Sequence, residues 1–280
     1  VLFAACGTGL LRSDDGAASW QPALTALALS APLPATGVAC HDDTVLVGVP
    51  GGVLVSHDAG SSWATVLLPD PAPFITALVC SPAFASDGVA WAATADDGVF
   101  LTSDGGHHWR AWNIGLFDSA VLCLAASPSF VHDRLLLAGG ASGLFVSTNG
   151  GRRWDECVLP AYEAVVLSVA CLAGATPRLV VGTADHGVFV SSDRGRSWET
   201  LATPLGAVNA LVAEAAPDGV GRLLALFDDM PYHSHDAGAT WVHCPGGAGA
   251  VALLAPAGLA PGQPLIVGLA DGGITRTALA

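Results

Sequence analysis

Ser56-His-Asp-Ala-Gly-Ser-Ser-Trp63 recurs as Thr102-Ser-Asp-Gly-Gly-His-His-Trp109 and, with its glycine one place early, as Ser13-Asp-Asp-Gly-Ala-Ala-Ser-Trp20. Three further copies end at Trp154, Trp198 and Trp241, so successive tryptophans stand 43 to 46 residues apart. A truncated seventh copy begins at Gly273-Ile-Thr-Arg-Thr277. Each period reads alike. An apolar run such as Ile75 to Cys80 leads through Ser81-Pro-Ala-Phe-Ala-Ser-Asp87 to a second run, Val89 to Ala93. A short acidic or glycine turn, a third run (Val99 to Thr102) and the octet follow, and the octet's Trp opens a fourth strand. Four short strands in about 44 residues, with turn chemistry between them and no 3.6-residue apolar period, predict an all-β chain folded as a single β-propeller over residues 1–280.

Pairs of second and third strands start at Leu2, Val45, Val89, Leu135, Leu179, Leu223 and Leu265, which favours seven blades. On this count the first copy lacks an innermost strand and the last an outermost one. A six-bladed alternative uses Ala250 to Leu254 to complete the blade begun at Leu2. It would leave the apolar Leu265-Ile-Val-Gly-Leu269 hairpin as surplus surface.

The octet has a mechanical explanation. Its Asp carboxylate and Ser or Thr hydroxyl bond to the backbone of their own turn, and Gly supplies a positive φ. The Trp fills space between blades, and burying one removes about 150 to 250 Å² from water. That corresponds to a gross contribution of about 4 to 6 kcal/mol. The structural set is therefore Asp15, Trp20, Asp58, Trp63, Asp104, Trp109, Asn149, Trp154, Asp193, Trp198, Asp236 and Trp241. Asn149 stands where the other copies carry Asp, and Ala17 where they carry Gly, so the fourth and first turns are expected to be held less tightly.

These octets resemble the Asp-box, or BNR repeat, of sialidases, xyloglucan-degrading glycosidases, sortilin-type receptors and photosystem assembly factors. Ser81-Pro-x-Phe-x-x-Asp87 and Ser127-Pro-x-Phe-x-x-Asp133 are similar to the linker between the first two strands of bacterial BNR-like proteins. The resemblance spans nearly the whole chain and implies the propeller. It implies no single activity, because the family includes enzymes, receptors and scaffolds.

Composition narrows the choice. Of 280 residues 52% are apolar and 12% charged, which excludes disorder. The ten basic residues are all arginine and face 24 acids, a net charge of −14, which argues against a nucleic-acid or anionic-membrane partner. The long uncharged runs, Ala17 to Cys40 and Ala237 to Ala270, are broken by prolines and glycines and read as strands and turns, so no membrane span is expected. Seven cysteines without a CxxC spacing give neither a full disulfide framework nor a four-thiolate zinc site. The unpaired thiols lean towards the cytoplasm; the chain opens at Val1 in strand-like sequence with no basic-then-apolar leader. No cofactor, metal or nucleotide loop is indicated, and a monomer is expected.

Function is read from how the propeller sorts its turns. Those after strands one and three lie on one side, those after strands two and four on the other. Arg134, Arg178 and Arg222 begin second strands, and Arg152, Arg153, Arg194 and Arg196 sit in octets, so seven of ten arginines fall on the octet side. The opposite side collects Asp96, Asp97, Asp185, Asp228, Asp229 and Asp271, with Asp70, Trp112, Phe117, Asp118, Tyr162 and Glu163 from between blades. A sialidase needs its arginines opposite the octets, and adjacent residues such as Tyr162 and Glu163 do not ordinarily point together. The expectation is a non-catalytic propeller that binds a protein or a saccharide through Asp96, Asp97, Trp112, Asp118, Tyr162, Glu163, Asp185, Asp228 and Asp229. The alternative is a glycoside hydrolase of neutral glucans that pairs two of these carboxylates.

Overall fold

The computed structural model describes residues 1–27, 31–69, 73–174, 177–216 and 219–279; Asp70 lies outside them. The chain is all-β, with seven antiparallel sheets as the blades of a β-propeller. The second blade shows the pattern, its strands Gly37–His41, Thr44–Val49, Gly52–Ser56 and Ala64–Leu67 pairing in sequence order. Five sheets have four strands. The first and last have three. In the first, Leu2–Cys6 pairs with Gly9–Ser13 and that with Gln21–Pro22. In the last, Ala250–Leu254 pairs with Pro264–Leu269, and that strand with Ile274–Ala278. Ala250–Leu254 thus belongs to a seventh sheet, and the six-bladed reading is set aside.

Burial explains why the middle strands show no apolar-polar alternation. Gly52–Ser56 and Ala90–Thr94 are buried at every residue, because blades cover both faces of the sheet. The short fourth strands Arg110–Ala111 and Glu199–Thr200 are exposed. Contacts divide the chain into two compact units: Val1–Ala126, Phe130–Leu136 and Ser147–Asp155 form the first, and Ser127–Ser129, Leu137–Val146 and Glu156–Ala280 the second. In the first, Leu46, Val53 and Val55 pack against Ile75, Ala92, Phe100 and Trp109. In the second, Val180, Val188 and Val190 pack against Val208, Leu223, Ala225 and Phe227.

Inner strands carry a register shift near their start at Ile75/Ala77, Val166/Ser168, Val208/Ala210 and Ala250/Ala252. Polar side chains at three of these irregularities are put to use, Asn209 Nδ2 donating to the Asp228 carbonyl at 2.8 Å. Thr76 Oγ1 donates to the carbonyl of Val121, and Ser168 Oγ to that of Val208, each the first residue of another inner strand in the same unit. The linkers read as turns contain a single helical turn each, Phe84–Asp87 and Phe130–Asp133, too short to leave a periodic signature.

Candidate functional site

The octets form one hydrogen-bonded device. In the second, Ser56 Oγ donates to Asp58 Oδ1 at 2.8 Å and accepts from the Gly60 N–H at 2.8 Å. The Ser62 N–H and hydroxyl donate to the two oxygens of the same carboxylate, at 2.8 and 2.6 Å. Asp193 and Asp236 repeat the arrangement with Ser197 and Thr240, and His108 Nδ1 takes the hydroxyl's place at Asp104, 2.7 Å away. The hydroxyl of the seventh octet position is a signal that the repeat pattern alone does not single out, although Ser19, Ser62, Ser197 and Thr240 display it. Hydrogen bonds from Ser62, then Ser56, hold the Asp58 carboxyl at about 2, below its ordinary 3.8.

The two departing octets differ in outcome. Ala17 takes φ +72 where Gly is usual, yet the first turn keeps all four bonds. Asn149 Oδ1 accepts from Ser147 Oγ and from the Arg153 N–H, both at 3.0 Å, and Arg153, at the seventh position, has no hydroxyl to add a further bond. The fourth turn is the looser one. The tryptophans also differ: Trp109 and Trp154 are buried, at 8% and 1% exposure, whereas Trp20, Trp63, Trp198 and Trp241 are half-buried. The burial expected of all six holds in full for two. Trp154 Nε1 donates to the Trp112 carbonyl at 2.9 Å and Trp63 Nε1 to that of Ala23 at 3.1 Å.

In the first unit, Asp118 Oδ1 accepts the Ala120 N–H at 2.9 Å, and the Asp97 main chain is tied to Thr94 Oγ1 and Asn113 Nδ2, while Asp96 is exposed. Trp112, expected with these acids opposite the octets, instead turns its ring into a groove of about 690 Å³ at the fourth octet, 5.6 Å from the Arg152 guanidinium, and that groove holds none of the acids. In the second unit, Asp228 Oδ1 accepts the Ala207 N–H at 2.9 Å and Asp229 Oδ2 the Gly249 N–H at 3.1 Å, while Asp185 is exposed. Three of the candidate carboxylates therefore accept backbone donors of the connecting segments.

Tyr162 and Glu163 are different. With Glu156 and the Ser142–Gly143 turn they line a hollow of about 380 Å³. Tyr162 is 88% exposed and its neighbour Val158 86%. Glu163 takes φ +52, a left-handed conformation that few residues other than glycine adopt. Ser142–Gly143 joins second and third strands, and the segment bearing Tyr162 joins a fourth strand to the next first strand. Both connections run at the strand ends away from the octet of their blade. Glu156 is a member of the hollow that sequence reasoning misses, since nothing in its neighbourhood marks it.

No family model matches the sequence, and comparison with curated proteins finds none that matches. Solved structures do. YCF48 bound to a D1 peptide superposes with a TM-score of 0.72 at 17% identity, over 99% of this chain and 87% of that one. The extracellular domain of the one-component system BT4673 from B. thetaiotaomicron gives 0.70 at 15% identity, over 98% of this chain. The xyloglucanase of family GH74 from Xanthomonas campestris gives 0.67 at 15% identity, also over 98%. The chain spans only 36% of the BT4673 domain and 49% of the xyloglucanase. At these identities the likeness establishes the seven-bladed β-propeller fold and nothing finer.

Among the described residues no three His, Cys, Asp or Glu side chains are grouped to hold a metal ion. The rings of His233 and His235 lie 4.6 Å apart and tilted at 47°, with His233 Nδ1 3.4 Å from Cys244 Sγ, and burial, then the charge of His235, lowers the His233 pKa.

Proposed function

We propose that this chain is a non-catalytic binding propeller of the Asp-box type, which recognises a protein or saccharide through the acidic, aromatic turns opposite its octets. The observation that carries this reading is the hollow beside Tyr162. An aromatic ring left 88% exposed, in a hollow with two carboxylates and an exposed Val158, is apolar area for a sugar ring or a partner's side chain to cover. Engagement of Asp118, Asp228 and Asp229 with backbone donors supports a role for those acids in turn structure, leaving Tyr162, Glu163 and Glu156 as the contacting set. That YCF48 has been solved with a peptide is consistent with this use of the fold.

The test is a glycan array and a pull-down with the intact chain, repeated with Tyr162→Ala and Glu163→Gln. Capture of a ligand that both substitutions abolish supports the site; a ligand retained by both variants overturns it. A second reading, a glucan hydrolase, is favoured by one feature, the presence of Glu156 and Glu163 in the same hollow. It expects reducing sugar from a neutral glucan panel and its loss in Glu156→Gln and in Glu163→Gln.

A further inference from the structure

The groove beside the fourth octet, in the first unit, has a different chemistry. Arg110, Arg134 and Arg152 line it with Trp112, Phe130 and Asn149, and no Asp or Glu is among its lining residues, in a chain where acids outnumber bases 24 to 10. Arg12 and Arg153 pair with Asp14 and Asp155. Among the described residues Arg110, Arg134 and Arg152 have no carboxylate partner. Two of the guanidinium groups are laid on rings, Arg152 5.6 Å from the centre of Trp112 and Arg134 5.3 Å from that of Phe130. Stacking occupies the face of a guanidinium and leaves its N–H edge free for an acceptor.

An octet departure and a strained repeat position meet here, and each runs against the turn that contains it. Asn149 removes a carboxylate that five other octets retain, in an octet that also has Arg153 where four of those five carry a hydroxyl. Arg134 takes φ +54 at the place where the preceding blade has Gly88 at φ +59. The match is structural, since the Gly88 carbonyl accepts from Gly105 at 3.0 Å and the Arg134 carbonyl from Gly150 at 2.9 Å. A left-handed site is one that a side chain rarely occupies. Folding alone would favour Asp and Gly at these two positions. The residues found instead add a positive charge and delete a negative one on the same groove.

We propose that this groove binds a small organic ligand bearing a phosphate or sulfate ester, its oxyanion held by Arg110, Arg134 and Arg152 and its scaffold resting against Trp112. Three guanidinium groups without counter-charge suit a group with three terminal oxygens better than a lone carboxylate, and a hollow of about 690 Å³ accommodates a ligand of sugar or nucleotide size. Isothermal titration of the intact protein with glucose 6-phosphate, glucose 6-sulfate, glucuronate and glucose separates the chemistries on one scaffold. Phosphate, sulfate or both should bind, with affinity falling as salt rises. Glucuronate should be weaker by about tenfold, and glucose silent. Asn149→Asp and Arg134→Gly each install the residue found in the neighbouring repeat, so melting temperature should hold or rise while ester affinity falls by about tenfold or more. Absence of heat with both esters, equal binding of glucose, or unchanged affinity in a folded Asn149→Asp protein would overturn the assignment. If either variant melts lower than the wild type, Arg152→Gln, a change at an exposed tip, replaces it: the same fall in ester affinity supports the site, and an unchanged affinity overturns it.

Discussion

The carboxylate of Asp58 accepts three hydrogen bonds from its own turn, as do those of Asp15 and Asp236, and that of Asp193 accepts four, the fourth from the Arg196 N–H. Each is held at about 2 instead of 3.8, chiefly by its seventh-position hydroxyl. Because the folded value is the lower one, these groups stabilise the fold above pH 3.8, and the contribution is lost as pH falls from there towards 2. Thermal melts of Asp58→Asn should therefore show a shallower acid limb than the wild type, and Asp58→Ala should melt below Asp58→Asn, since Asn149 shows that an amide oxygen retains two of the bonds. Among the tryptophans, Trp154→Ala should cost about 3 to 5 kcal/mol in urea unfolding. Trp198→Ala, at a half-buried ring whose Nε1 has no partner, and Trp112→Ala, at another half-buried ring, should each cost less. Equal losses at Trp154 and Trp112 would contradict this burial order. The octet roles are legible in the sequence because each partner lies within eight residues. The contact of Trp112 with Arg152 is not, because it joins residues 40 apart through blade packing that no local pattern encodes.

At the scale of the element, the inner strands depend on their irregular residues. Ser168 is buried and its hydroxyl donates at 2.6 Å to Val208, so Ser168→Ala leaves that carbonyl without its donor. The expected loss is about 1 to 3 kcal/mol in denaturant midpoint terms, whereas Ser168→Thr, which keeps the donor, should lose less. Strand order and number are legible in the apolar runs, down to the three-stranded first and last sheets. The register shifts are not. Thr76, Ser168 and Asn209 sit within continuous apolar stretches, and a single polar residue there reads as tolerated until the three-dimensional structure supplies its acceptor. The single-turn helices at Phe84 and Phe130 are invisible for the related reason that four residues hold barely one helical repeat.

Across the whole molecule, covering both faces of each middle strand accounts for the 52% apolar content, and the same burial silences thiols. Burial pushes the Cys80 thiol up to about 12, with Cys40 adding to it, and Cys244 to about 11. At pH 8 neither should react with a thiol reagent until the chain unfolds, which peptide mapping of alkylated native and denatured protein will show. Of the functional residues, Tyr162 and Glu163 are visible in the sequence as a pair in a connecting segment. Glu156 and the arginine groove need coordinates, because a repeat position such as Arg134 looks the same in sequence whether its side chain meets solvent or two other cations.

The carboxylate clamp of the octet closes within eight residues, from the hydroxyl of the first to that of the seventh. Such a clamp needs no distant partner, and loops of that size close in roughly 10 to 100 ns. As the polypeptide leaves the ribosome, each third-to-fourth-strand hairpin is ready to be pinned as soon as its eight residues emerge, before the blade that will cover it has been made.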